Sequence, residues 1–315
     1  MKHRLELVSC NLCGKDKPRL KWRIKSSMYY PKLMNALSKV GRDPPEYFDI
    51  VQCRHCGLVY TNPRYSSEDQ TESYESQKPG KAKETFIQKL RKTSERNRLN
   101  SRMQEIERYA KGILLDVGCA DGKLLTVAKE RGWKVIGVEP FGKEAAACRK
   151  LGLDVKTGTL DTVKLKADSI NATNLSDVIE HLPDPSKTLE QVHRIMKKGG
   201  LLLVSTQDIG SFNARTGGKG WDLISPASHL YQFDKKTLKA MVEKAGFRTI
   251  RLYRDNNMLR HYLNFAFAML SRSIVFAKLF LYRLTKSRSL RSQLKKTTLR
   301  YWPPLNDHVI LLARK

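Results

Sequence analysis

From position 113 onward the apolar residues fall into short continuous runs alternating with helical stripes. Ile113-Leu114-Leu115-Asp116-Val117 is an apolar run suited to a strand buried on both faces. Gly118 to Gly122 then turns the chain into Lys123-Leu124-Leu125-Thr126-Val127-Ala128, which carries the helical period. The pattern repeats. Trp133 to Val138 reads as a second strand ending in Glu139, and Asp154 to Leu160 as a third strand and turn. Asp184 followed by Pro185 makes an N-cap and first turn for a helix through Met196, which Gly199-Gly200 ends before the strand Leu201 to Ser205. Asp234 caps a helix through Lys244, Gly246 stops it, Phe247 to Tyr253 forms a strand, and His308 to Ala313 supplies the last one. Strands and helices in this alternation predict an α/β domain.

Two other stretches have a different texture. Lys78 to Lys111 is highly charged, with Phe86, Ile87, Leu90, Leu99, Met103 and Ile106 spaced loosely as on amphipathic helices. It reads as a helical linker with a solvated charged face. Residues 254–300 interleave Tyr262, Phe265, Phe267, Ile274, Phe276 and Phe280 with basic residues, and Arg272 and Lys278 interrupt the apolar run short of the ~18 residues a membrane span needs. This predicts a basic amphipathic helical insertion before the last strand. It would be a lid over the substrate cleft, a homodimer contact, or a contact with an anionic membrane surface. The expected organisation is a module at 1–77, the linker at 78–111, and a catalytic domain at 112–315.

The cysteines give the first module its chemistry. Cys10-Asn11-Leu12-Cys13-Gly14 and Cys53-Arg54-His55-Cys56-Gly57 are two copies of one short knuckle, each ending in a glycine able to take the positive φ of such a turn. Four thiolates match tetrahedral zinc, and a closed four-sulfur shell is structural because it keeps no position for water. A redox dithiol or a coincidence are the alternatives, but a thioredoxin-type motif comes singly in a βαβ setting, which neither pair has. His3 and His55 read as surface residues. Residues 14–52 separate the knuckles by more than a compact ribbon needs, so an inserted helix or hairpin is expected around Lys21 to Val40. Gly57 to Pro63 reads as a strand running into a turn.

A formal charge of +28 from 59 Lys plus Arg against 31 Asp plus Glu attracts polyanions or an anionic membrane surface and bounds the partners, not the fold. Met1 to Val8 alternates charged and apolar residues rather than forming a secretory signal. The expected location is the cytoplasm, or its periphery at the inner face of the membrane. Hydrophobic residues at 40% suffice for a sizeable core.

The glycine turn chooses the cofactor. A dinucleotide fingerprint would place its last glycine at position 123, where the chain has Lys123. Asp116-x-Gly118-x-x-x-Gly122 instead resembles the first motif of class I S-adenosylmethionine-dependent methyltransferases, with Ala120 where many members have a middle glycine. Asp177-Val178-Ile179-Glu180-His181-Leu182 closely resembles the family's fourth motif, whose preceding strand is here more polar than usual at Asn171 and Asn174. The resemblance implies a Rossmann-like seven-stranded methyltransferase sheet and an S-adenosylmethionine site at Asp116, Gly118, Cys119, Gly122, Glu139, Pro140, Thr159, Leu160 and Asp177. Glu139 would be the ribose-binding acid. Residues 210–233 look like bacterial members that also carry a cysteine-rich N-terminus, among them sugar C-methyltransferases and cell-envelope gene-cluster enzymes.

The implied reaction needs an acceptor aligned with an activated methyl group, and a base only if the acceptor must lose a proton. His181 and His229 are the candidate bases; His181 could equally cap or pack its loop. The expected acceptor is a small molecule or a glycan, including a nucleotide-linked or lipid-linked sugar. A nucleic-acid (RNA) methyltransferase is less favoured, since Ser176-Asp177-Val178-Ile179 stands where amino-methylating nucleic-acid enzymes have Asn/Asp-Pro-Pro-Tyr/Phe. A non-catalytic cofactor-binding scaffold is disfavoured by the intact Asp116, Gly118, Gly122 and Glu139.

Overall fold

The computed structural model describes residues 5–26, 45–65, 86–221, 223–254 and 307–315. The expected insertion at 254–300 lies outside the described residues except for Arg254, as do His3 and the stretch 27–44. No described helix is long and apolar enough to cross a membrane.

The first half contributes β1 (Leu5–Glu6), β2 (Pro18–Lys25), β3 (Tyr47–Cys53), β4 (Val59–Thr61) and β5 (Arg64–Tyr65). Helix α1 (Phe86–Glu107) leads into β6 (Ile113–Val117), α2 (Lys123–Glu130), β7 (Lys134–Glu139), α3 (Gly142–Lys150), β8 (Val155–Thr157) and β9 (Ile170–Ser176). Then follow α4 (Pro185–Ile195), β10 (Met196–Gln207), α5 (Phe212–Gly217), β11 (Tyr231–Gln232), α6 (Lys235–Lys244), β12 (Arg248–Arg254) and β13 (His308–Arg314).

Seven strands form one sheet in the order β12-β13-β10-β9-β6-β7-β8. β8, β7, β6, β9 and β10 run parallel, while β13 is antiparallel to both β10 and β12. β6 therefore sits at the switch point, with β7 on one side and β9 on the other, and the carboxyl ends there open into the crevice where such sheets take ligands. This is the Rossmann-like methyltransferase sheet expected from the sequence.

Two apolar layers sandwich it. On one face Leu99, Met103 and Ile106 of α1 and Leu124, Val127 and Ala128 of α2 are buried against Leu114, Leu203 and Leu312. The stretch expected as a linker thus seats its helix on the sheet; its Phe86, Ile87 and Leu90 side chains lie outside the described residues. On the other face Leu189, Val192, Leu238 and Met241 of α4 and α6 pack on Leu175, Leu202, Val204 and Leu311.

The helix signals were local and accurate at their starts. Asp184 accepts from Lys187 N with Pro185 in the first turn, and Asp234 forms a reciprocal capping box with Thr237. One boundary differs. The helix after Asp184 ends at Ile195, one residue short of the expected Met196, and the next strand begins at Met196 rather than at Leu201. The two glycines serve a β-bulge: the register against β9 shifts between Met196 and Leu201, Gly199 takes φ 76°, and a Cβ on Gly200 would meet Lys197 O at 2.9 Å.

The small module is built on a second sheet of order β11-β4-β3-β2. Lys21 to Lys25 belong to β2, so this part of the expected insertion is a hairpin strand paired antiparallel with β3. The sheet's last strand, β11, comes from the catalytic half, pairing Tyr231 with Tyr60 and Gln232 with Val59. Buried Cys10, Leu58 and Tyr60 join the same core as Leu230, Tyr231 and Phe233.

Candidate active site and metal centre

The turn after β6 is drawn tight by its backbone. Gly118, Ala120 and Gly122 take φ of 70°, 46° and 72°. A Cβ on Gly118 would lie 2.7 Å from Val178 Cγ2, and one on Gly122 would lie 2.7 Å from Leu153 Cδ1. Glycine is thus required at both ends. Ala120 holds the left-handed region with a side chain, at a cost of about 1–2 kcal/mol. The sequence treated it as a mild replacement for glycine; the structure places the strain there.

Glu139 holds this strained residue. Its carboxylate is buried at the end of β7, with Oε2 accepting from Ala120 N at 2.8 Å and Oε1 accepting from Phe141 N at 3.1 Å. The acid of the second strand therefore ties the first strand's turn to its own, beside the crevice. Asp116 lies deeper. It is 4% exposed, accepts from Asn174 Nδ2 at 2.7 Å, and burial raises its pKa to about 7. This explains one of the two unusual asparagines. The other, Asn171, accepts from Ile113 N at 3.0 Å through Oδ1.

The remaining cofactor candidates divide by position. Cys119 is buried, its thiol in an apolar cluster with Leu125, Cys148 and Val155, so its side chain faces the core. Pro140 and Thr159 are exposed at the carboxyl ends of β7 and β8, and Leu160 is half-buried. Thr159 N–H donates to Thr162 Oγ1 at 3.0 Å, which fixes the turn. Asp177 follows β9 at φ 55°, with His308 Nε2 lying 3.2 Å from its Oδ1. Although burial opposes it, His308 holds the Asp177 carboxyl below its usual range.

Past Asp177 the chain brings two histidines together from positions 181 and 229. Leu230 N–H and Tyr231 N–H both donate to Glu180 O, at 2.7 and 3.2 Å, which clamps the two loops. The His181 and His229 rings meet edge-on with centroids 4.7 Å apart. His181 Nδ1 lies 2.8 Å from Ser228 O and His229 Nδ1 lies 2.9 Å from Leu223 O. Only an N–H can face a carbonyl, so both rings carry hydrogen on Nδ1 and a lone pair on Nε2. Burial lowers the His181 pKa, and burial with the neighbouring ring lowers His229 to about 3, so both are neutral near pH 7. Beneath them Glu180 is 1% exposed, and burial with the Asp177 charge raises its pKa to about 8. Sequence reasoning gave Glu180 no role, although it stands beside His181; only folding shows that it shares a site with residue 229.

The four knuckle cysteines converge. Cys10 Sγ lies 3.4 Å from Cys56 Sγ and Cys13 Sγ lies 3.6 Å from Cys53 Sγ. All four sulfurs lie within 4.8 Å of one another. Sulfurs about 2.3 Å from one tetrahedral zinc sit roughly 3.8 Å apart, so the set fits the metal. Both close approaches run between the knuckles, which is the geometry of a shared ion. Gly14 and Gly57 take φ of 72° and 84°, and each donates its N–H to the first cysteine of its knuckle. At Cys53, burial opposes the thiolate, but N–H groups of Cys56 and His55 outweigh it and lower the pKa to about 7. His55 is exposed, beside Lys15.

The first knuckle also grips the catalytic half. Asn11 Nδ2 donates to Asp184 Oδ1 at 2.8 Å, and Ser186 N–H donates to Asn11 Oδ1 at 3.0 Å. Arg64 Nη1 donates to Tyr231 Oη at 2.9 Å and to Pro183 O at 3.0 Å. Neither Asn11 nor Arg64 carries a motif, and no sequence signal marked them.

The family described as "Methyltransferase domain" matches residues 81–252, more than half of the chain. The chain belongs to this family. Among curated relatives of this methyltransferase domain, the "Ubiquinone biosynthesis O-methyltransferase" of Cereibacter sphaeroides (strain KD131 / KCTC 12085) is 29% identical over 99 residues, 30% of this chain and 40% of the relative. A "Probable S-adenosylmethionine-dependent methyltransferase" of Mycolicibacterium smegmatis is 27% identical over 136 residues, 42% of this chain and 51% of the relative. The chain thus spans about half, or less, of the length of the curated relatives it matches. A solved S-adenosylmethionine-dependent methyltransferase of Thermotoga maritima superposes with a TM-score of 0.44 at 20% identity, covering 73% of this chain and 96% of that one. Haemonchus contortus phosphoethanolamine N-methyltransferase 2, in complex with S-adenosyl-L-methionine, gives a TM-score of 0.47 at 17% identity, covering 70% and 52%.

Proposed function

We propose that this methyltransferase domain binds S-adenosylmethionine in the crevice above β6 and transfers its methyl group to a small-molecule or glycan acceptor, with a structural zinc held by Cys10, Cys13, Cys53 and Cys56. The observation that carries the reading is the buried Glu139 carboxylate bonded to Ala120 N, which closes the Gly118–Gly122 turn at the switch point of a methyltransferase sheet. A carboxylate accepts from hydroxyls as well as from amides, and the family resemblance assigns the ribose hydroxyls to Glu139. The sulfonium supplies a methyl group that is already activated. The residues' task is then to orient the acceptor and exclude water. His181 stands past β9 as a neutral ring with its lone pair on Nε2, placed to accept a proton from an acceptor hydroxyl, with His229 packed edge-on against it. Several curated relatives carry names of O-methyltransferases acting in ubiquinone biosynthesis, which supports a small hydroxylated acceptor.

Calorimetric titration of the zinc-loaded chain with S-adenosylmethionine and with NAD tests the cofactor. Micromolar binding of the first and none of the second is expected, followed by radiolabelled methyl transfer in a screen of small hydroxylated acceptors and sugar nucleotides. A folded chain that binds neither cofactor overturns the proposal.

A further inference from the structure

A buried carboxyl group short of hydrogen-bond partners is costly, and Glu180 is one, beside the histidine pair. Neither oxygen of Glu180 makes a well-formed hydrogen bond, and the Thr206 hydroxyl is the polar group beside it. Gln207, 8% exposed, has no partner for Oε1, while its Nε2 lies 3.5 Å from His229 Nε2. Several oxygen atoms are therefore gathered and dehydrated at one place, short of a full set of hydrogen bonds. Groups in that state destabilise the fold unless something satisfies them.

The histidines are arranged as ligands are. Each Nδ1–H is fixed on a backbone carbonyl, Ser228 O for His181 and Leu223 O for His229, so Nε2 is the basic atom of each ring. An outer carbonyl that locks tautomer and ring plane is the usual support of a metal-bound histidine. One ligand atom from each of Glu180, His181 and His229 lies within 4.8 Å of the others, so small side-chain adjustments bring all three onto one ion. The histidines are half-buried while Glu180 is closed off, which leaves the ion's approach on the histidine side.

We propose that Glu180, His181 and His229 form a second metal site, for a divalent transition ion, separate from the four-cysteine site. Two imidazoles and one carboxylate select zinc, iron(II), cobalt or manganese over magnesium or calcium, which prefer all-oxygen shells. Three protein ligands keep further coordination positions open, as catalytic rather than structural sites do. A hydroxyl bound there would be acidified by the ion in place of a histidine base; that consequence rests on the methyltransferase reading, whereas the metal site itself does not.

The test uses the full chain carrying one equivalent of zinc, enough for the four cysteines only, dialysed against cobalt(II) alone. One cobalt per chain beyond the zinc is expected, with two paramagnetically shifted, exchangeable imidazole signals in the proton spectrum, the Nδ1–H groups of rings bound through Nε2. Glu180→Gln and His229→Gln are expected to weaken cobalt retention at least tenfold and leave the zinc content unchanged. No cobalt above the zinc, or bound cobalt without shifted imidazole signals, overturns the site. The wild-type spectrum decides even if a variant does not fold. S-adenosylmethionine titrated into the same sample reports separately on the proposed function, since it can bind whether or not cobalt does.

Discussion

Replacing Glu139 with glutamine changes one oxygen for an NH2 group and leaves the size of the side chain intact. The carboxylate accepts from two backbone amides, Ala120 N and Phe141 N. Glutamine has one acceptor, so one of these N–H groups must face a donor instead. A hydrogen bond to a charged group contributes about 1.5–3 kcal/mol. The loss falls on a turn already strained at Ala120, where φ is 46°, so the turn is expected to move out of its closed position. If the whole cost appears in binding, the Kd for S-adenosylmethionine rises about tenfold to 150-fold. Titration calorimetry reads that change, and urea unfolding of the same samples separates it from a loss of folded protein. Glu139→Ala removes both acceptors and is expected to bind more weakly still. A folded Glu139→Gln chain that binds S-adenosylmethionine within twofold of wild type would refute the assignment of Glu139 as the residue that closes the site.

Three other outcomes are expected. Burial holds Asp116 protonated up to about pH 7 in the folded cofactor-free chain; an acid whose pKa is raised on folding loses stability as pH rises from its unfolded value near 4 through 7, on the order of 2–4 kcal/mol in all. Asp116→Asn should therefore flatten that fall, and parallel pH–stability curves for variant and wild type would sink the idea. Asn11→Ala removes two hydrogen bonds between the first knuckle and the start of α4, and urea unfolding should show about 2 kcal/mol less stability; a loss under about 0.5 kcal/mol would mean that these two side-chain bonds do not hold the knuckle in place. Cys53→Ser should lower the zinc content by one ion per chain in metal analysis, and because Cys53 is buried with Leu58 and Tyr60 in the shared core, it should also lower the melting temperature of the catalytic half. A separate, unchanged catalytic transition would contradict the continuous core.

Particular residues show where the sequence sufficed. Asp184, Pro185 and Asp234 specify helix starts through bonds to residues three positions away, so their signals are local and hold wherever the segment lies. The knuckle spacing and the Gly118–Gly122 turn are equally local, because steric limits on φ select glycine there whatever surrounds it. The apolar runs of β6 and β10 announced strands buried on both faces. Those features, with the family resemblance they carry, were enough for the fold class, a seven-stranded α/β sheet.

The tertiary structure decided what depends on distant partners. Gly199-Gly200 looks like a helix stop in isolation; a bulge against β9 makes it part of a strand. Glu139 and Ala120 are bonded only because β6 and β7 lie side by side, and Asn171 and Asn174 are polar because they serve β6 across the sheet. The pairing of Tyr231 with Tyr60 joins the cysteine knuckles to the catalytic half, and no periodicity announces a strand of two residues. Glu180, His181 and His229 are the extreme case. Their chemistry as a group arises from a loop closed by backbone bonds from Leu230 and Tyr231 to Glu180 O, and such bonds, available to every residue type, leave no mark on sequence.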